Sequence, residues 1–126
     1  DVIHALSANG VVTVFAGISG TTGATNDSLT TSTFSNPRGL CMDLAGNLYV
    51  CDTANHMIRK ISPQGAVTTY AGIAGQVGND DGDRSVATFS SPRDIALTSD
   101  ESLIITCPGS HTIRKISKTG AVTTIG

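Results

Sequence analysis

The chain has 126 residues, enough for one ordinary domain, and its eight basic and ten acidic side chains leave a net charge of −2. No basic run exceeds Arg59-Lys60 or Arg114-Lys115, which argues against a phosphate-tracking nucleic-acid surface. No apolar stretch approaches the roughly 20 residues of a membrane-spanning helix, and the start without initiator Met, signal peptide or targeting arm is expected to reflect processing or a longer parent sequence.

Residues 1–17 read as two short strands, VIHALS and VVTVFAG, divided at Ala8-Asn9-Gly10, where Asn-Gly signals a hairpin. Residues 18–33 hold only two branched aliphatic side chains among Gly, Ser, Thr and Asn, so they predict a loop. Four strand candidates follow: Arg38 to Asp43, Leu48 to Cys51, His56 to Ser62 and Ala66 to Ala71, with turns at 45–47, 52–55 and 63–65. None has a 3.6-residue apolar period, and the last is rich in β-branched residues suited to a pleated surface. After a second loop at 73–91, four strands recur at 93–98, 103–107, 111–117 and 121–125.

The recurrence is a true internal repeat. Phe34 to Gly72 returns 55 residues later, with 16 identities over 38 shared positions and no gap, and NGVVTVFAG at 9–17 lies 55 residues before QGAVTTYAG at 64–72. Four short strands per unit, with turns inside and a longer loop between, is the pattern of propeller blades: one four-stranded sheet cannot cover both its faces, whereas a ring of tilted sheets covers each with its neighbour. The expectation is an all-β chain of four-stranded antiparallel blades forming an incomplete ring. Its parts would be an outer hairpin at 1–17, a crossing loop and full blade at 18–72, and another at 73–126.

The stretch FSNPRGLCMDLAGNLYVCDTANHMIRKI resembles the NHL-repeat β-propellers, whose pattern is F-x-x-P-x-G-I-A-x-D-x-x-G-N-x-Y-V-A-D-x-x-N-H-x-I-R-K-I. The following G-x-V-T-T-x-A-G is similar to strands common in extracellular members. The second unit departs at Asp94 for Gly, Thr98 for Asp and Cys107-Pro108 for Asp-Thr. The resemblance implies that the first strand of each unit lines a central channel, the fourth lies at the rim, and 1–17 is the outer half of a blade. Two origins for the missing strands stand open: the rest of a longer propeller chain, or another polypeptide in an oligomer or fibre.

Cys41 and Cys51 stand where that family usually has Ala. With the intervening turn centred on Gly46 they would face each other, within reach of a disulfide; the alternative is two small buried hydrophobes. Cys107 has no evident partner. Asn26-Asp27-Ser28 fits the N-glycosylation pattern, and with the possible disulfide and the style of repeat it points to an extracellular or cell-surface location.

Candidate chemistry is sparse. Asp80, Asp81 and Asp83 around Gly82 resemble part of a calcium loop but lack the distal bidentate Glu, so they read as a solvated acidic turn. His56 and His111 are the repeat's own His and, like His4, read as structural; Asp43 and Asp52 read as turn residues that bind backbone N–H groups. There is no phosphate-binding Gly loop, and five aromatic residues cannot build a base-stacking array. The reading is a noncatalytic scaffold or interaction module without a cofactor, contacting other blades, subunits or protein partners through turns and loops at one end of the ring. The alternatives are part of a metal-dependent propeller lyase or hydrolase, which needs His or carboxylates converging from several blades, and an RNA-binding NHL domain, which needs a basic face.

Overall fold

The computed structural model describes residues 1–126. Strands β1 (Val2–Leu6) and β2 (Val12–Gly17) form a hairpin. The first blade has β3 (Pro37–Met42), β4 (Leu48–Asp52), β5 (Met57–Ile61) and β6 (Val67–Gly72) in sequential antiparallel order. The second has β8 (Asp94–Leu97), β9 (Leu103–Cys107), β10 (Thr112–Ile116) and β11 (Ala121–Thr124), with a two-residue strand β7 (Gly82–Asp83) added beyond β11. The chain is therefore all-β and built of propeller blades, with the ring incomplete over these residues.

The turns explain the order. Ser7 accepts from Gly10 N and donates its own N–H to Val11, which closes the Asn-Gly hairpin, and Gly10 sits at φ 87°, a conformation nearly free of cost only for glycine. The β4–β5 connection is one turn of 3₁₀ helix over Thr53–Asn55, ended by His56 in the left-handed region at φ 58°. His111 repeats that conformation at φ 55°, so both His residues terminate turns and the third strands begin just after them.

The crossing loops are more structured than a polar linker. Each runs down the rim of the blade it is about to enter: β7 pairs antiparallel with β11, and the bridge Ser28–Ala66 repeats this one period earlier. Each then makes a parallel bridge onto the blade's leading Phe, Thr22 to Phe34 and Val77 to Phe89. The loop thus closes the outer edge of its own blade and leaves few unpaired strand N–H groups there.

The core lies between blades. Ile3 and Ala16 of the hairpin pack on Phe34, Val50, Ile61 and Val67 of the first blade. Tyr49, Cys51, Ile58 and Ala71 on that blade's other face pack on Phe89, Leu103, Ile105, Cys107, Ile116 and Val122. Phe34 and Phe89 are fully buried, each contributing on the order of 2 kcal/mol. At the hub the blades meet backbone to backbone: Gly39 N donates to Arg93 O at 2.7 Å, and a Cβ on Gly39 would fall 2.5 Å from that oxygen. Leu40 and Met42 lie on the face of β3 opposite Cys41, which the two-stranded hairpin does not cover, and remain exposed.

Candidate functional site: the groove between the two blades

The recurring polar residues serve the framework. Arg59 and Arg114, one period apart, are both fully buried, each guanidinium lying over its blade's leading Phe, 4.7 Å from Phe34 and 4.9 Å from Phe89. Arg59 donates to Thr33 O, Thr25 O and Asn26 Oδ1, and Arg114 to the equivalent Thr88 O, Asp80 O and Asp81 Oδ1. Each arginine therefore ties its crossing loop to the blade. Their counterions differ. Arg59 pairs at 2.8 Å with fully buried Asp52, whose place in the second blade is taken by Cys107; Arg114 instead pairs at 2.9 Å with half-exposed Asp81, where the first loop has the neutral Asn26. The negative charge has moved from strand to loop while each guanidinium keeps one carboxylate.

That geometry settles where the sequence candidates lie. Asp81 is engaged by Arg114 and Thr124, and Asp83 by the N–H and hydroxyl of Ser85, while Asp80 contributes its backbone carbonyl to Arg114. The three residues thus take different partners. No group of three His, Cys, Asp or Glu side chains is placed to share an ion. Asn26 is exposed, its Oδ1 accepting from Arg59 and its Nδ2 donating to Thr69 Oγ1. His4 is exposed on β1, and His56 Nδ1 accepts the backbone N–H of Ser91 across the joint at 3.0 Å.

The cysteines correct the sequence reading. The β3–β4 connection spans Asp43 to Asn47, closed by Asp43 N to Asn47 O, and is centred on Ala45 rather than Gly46. The register therefore sets Cys41 opposite Tyr49, not Cys51, and all three thiols are free. A shift of two residues keeps Cys41 and Cys51 on one face, and there Cys107 joins them in the inter-blade core. Burial, then the neighbouring Cys107 thiol, push the Cys51 thiol far above its ordinary pKa. Burial likewise raises Cys107, against the lowering pull of Arg114 and the Ser90 N–H.

Where the blades meet at the end carrying the β3–β4 and β10–β11 turns, they leave a groove of about 330 Å³. Asp43, Asn47, Tyr49, Lys60 and Tyr70 line it from the first blade, and Arg84, Leu97, Glu101, Lys118 and Thr119 from the second unit. Tyr49 and Tyr70 meet edge to face at 4.9 Å. Tyr70 also carries the Arg84 guanidinium 4.6 Å and the Lys60 ammonium 5.9 Å from its ring centre. Asp43 accepts from Ala45 N, Asn47 N, Asn47 Nδ2 and Tyr49 OH. Burial raises its pKa, but those four donors outweigh it and hold the carboxyl below its usual range. Burial first, then the bond to Asp43, push the Tyr49 hydroxyl far up, so it stays a donor.

The same place in the preceding joint is different. One period back, Lys60, Tyr70, Arg84, Leu97, Glu101 and Lys118 correspond to Ala5, Phe15, Leu29, Met42, Gly46 and Pro63. Phe15 and Leu29 pack onto the first apolar cluster, Leu29 lying against Gly65 as Arg84 lies against Gly120. The preceding joint, which has only the two-stranded hairpin on one side, is packed with Phe15 and Leu29, whereas this one is lined by ions and tyrosines. Apart from Lys60, which belongs to the I-R-K-I string and returns as Lys115, the repeat motif does not specify these residues. The signal was present in the sequence as the positions where the two repeats disagree.

Residues 34–61 match the family model for the NHL repeat. That stretch of the first blade is an NHL repeat. Its strands β3 to β5 carry the match, and β6 completes the sheet. No curated protein sequence matches the chain. Among solved structures, a structural genomics protein of unknown function from Bacteroides thetaiotaomicron aligns over 97% of this chain and 30% of its own, at 26% identity and TM-score 0.86. An auxiliary nutrient binding protein from the same organism aligns over 96% and 31%, at 24% identity and TM-score 0.78. A streptogramin B lyase aligns over 98% and 33%, at 20% identity and TM-score 0.64. The last two share the fold. The chain spans about a third of the length of each of these structures.

Proposed function

We propose that this chain is a noncatalytic recognition segment of a larger extracellular or cell-surface NHL propeller, and that its contact site is the groove between the two blades. The observation that carries this reading is the contrast between joints. Residues that build the framework recur one period apart, as Arg59 and Arg114 do, whereas Tyr70, Arg84, Glu101 and Lys118 in the groove stand where the preceding joint has Phe15, Leu29, Gly46 and Pro63. Folding alone is served by the apolar version. A polar, partly open version exposes Arg84 and tyrosines, side-chain types enriched where proteins meet partners.

The fold hosts both an auxiliary nutrient binding protein and a lyase, so function has to be argued from the site. Here the groove's acidic groups accept from nearby donors: Asp43 holds its own turn and Tyr49, and Glu101 holds Lys118. Such groups position a ligand rather than transfer its protons.

The test is to screen the parent propeller, displayed whole, against arrays of saccharides and peptides, alongside Thr119→Trp. Thr119 is exposed on the β10–β11 turn, where a Trp fills the groove without disturbing a core contact. Loss of the captured ligands in the variant, with the ligand recovered unaltered, is the expected result. Equal capture by both proteins overturns the choice of groove, and turnover of the bound ligand overturns the noncatalytic reading.

A further inference from the structure

We infer that the groove binds a small organic carboxylate of about the size of one sugar or amino-acid unit, gripped by Arg84 and Lys60. This rests on the groove being the contact site. The groove's charges divide into committed and uncommitted groups. Asp43 accepts four hydrogen bonds, and Glu101 Oε2 lies 2.6 Å from Lys118 Nζ, so both acids and one cation are engaged. Lys60 and Arg84 take part in none of the chain's four ion pairs. They stand beside the same Tyr70 ring, and Arg84 spends one donor, NH1, on Tyr70 O.

A guanidinium has five N–H donors in a rigid plane, and stacking on an aromatic face leaves its edge available. That edge matches a carboxylate in a two-point hydrogen bond, with the Lys60 ammonium as a second positive charge nearby. The Tyr70 ring fixes the guanidinium before the ligand arrives, which lowers the entropy cost of gripping it. Thr119 lines the same groove and offers an acceptor for a hydroxyl or amide group on the ligand's frame. The volume of about 330 Å³ lies at the small end of ligand pockets. The preceding joint supplies the negative comparison: its Leu29 and Ala5 occupy the positions of Arg84 and Lys60, so an anion-gripping pair exists at one joint only.

The experiment is titration calorimetry of the parent propeller with glucuronate, N-acetylglutamate, inorganic phosphate and glucose, at two salt concentrations. Variants are Arg84→Leu and Lys60→Ala, each importing the residue its counterpart carries in the preceding joint, with thermal unfolding as the check on folding; Thr119→Trp is run beside them. Binding of glucuronate or N-acetylglutamate, weakened at higher salt, absent for glucose, and at least tenfold weaker in either folded charge variant supports the inference. Binding of phosphate alone, of glucose as tightly as glucuronate, or of no probe overturns it. A ligand lost in Thr119→Trp but bound unchanged by Arg84→Leu and Lys60→Ala overturns the carboxylate assignment and leaves the groove as contact site. A ligand unaffected by all three variants overturns both.

Discussion

At the residue scale, the two buried arginines show how one repeat tolerates different chemistry. Arg59 and Asp52 are both out of water, so removing the carboxylate leaves an uncompensated charge in the core. Asp52 also accepts from Ser35 N and Asn55 Nδ2, which orders the loop entry and the 3₁₀ turn. Asp52→Ala is expected to cost about 3–5 kcal/mol in urea unfolding. Asp81→Asn should cost on the order of 1 kcal/mol, because water already screens the half-exposed partner of Arg114. Equal costs would contradict the assignment of buried and exposed counterions. Acid should follow the same logic. Hydrogen bonds hold Asp43 below its usual range despite burial, and Thr124 and Arg114 do the same for Asp81. A lowered folded-state pKa adds stability above the unfolded value, near 4, that is lost as pH falls through the folded one. The denaturation midpoint should therefore be flat above about pH 5 and decline below pH 4, less steeply in Asp43→Asn.

At the element scale, strands and hairpins were legible because their signals are local: alternation, β-branched residues and Asn-Gly all act within a few positions. The Cys41 register was not legible. Its five-residue connection is closed by Asp43 and Asn47, and an irregularity between Pro37 and Leu40 displaces the pairing further. The connection sets which residue faces Cys41, and the irregularity changes the partner of Pro37. The consequence is chemical. Cys51 and Cys107 are fully buried with raised pKa values, and Cys41 is half-buried, raised first by burial and then by Asp43. Thiolate is the reactive form, so a thiol reagent at pH 8 should label Cys41 alone, slowly, in the native protein and all three after unfolding. Early labelling of Cys107 would contradict the inter-blade packing. The crossing loop was likewise legible only in its polarity. Its pairing with β11 and its anchoring by Arg114 depend on residues more than 30 positions away.

At the scale of the whole molecule, joints rather than blades are the units of stability. Each blade is a thin sheet, and both apolar clusters combine residues from two neighbours. Gly39 marks how closely two hubs approach: its added Cβ would meet Arg93 O and the Asp94 backbone. Gly39→Ala should therefore cost about 1–3 kcal/mol by forcing the hubs apart, whereas Gly126→Ala, whose added Cβ would meet only Ile113 Cδ1 at 3.9 Å, should cost much less in the same urea unfolding. Asp94 occupies the Gly39 position of the second blade and carries the side chain that Gly39 cannot.

By itself the sequence determined the repeat, its phase, the four strands per unit and the NHL signature, since these rest on periodicity and turn chemistry that neighbouring residues enforce. Tertiary structure decided which of the non-recurring residues meet. Tyr70 and Arg84 lie on a strand and a loop, Lys118 on a turn of the next blade, and they come together only because two twisted sheets stack face to face. The physical reason is that strand formation is specified by short-range pattern, whereas a groove is the space left between two surfaces and exists only after both have packed.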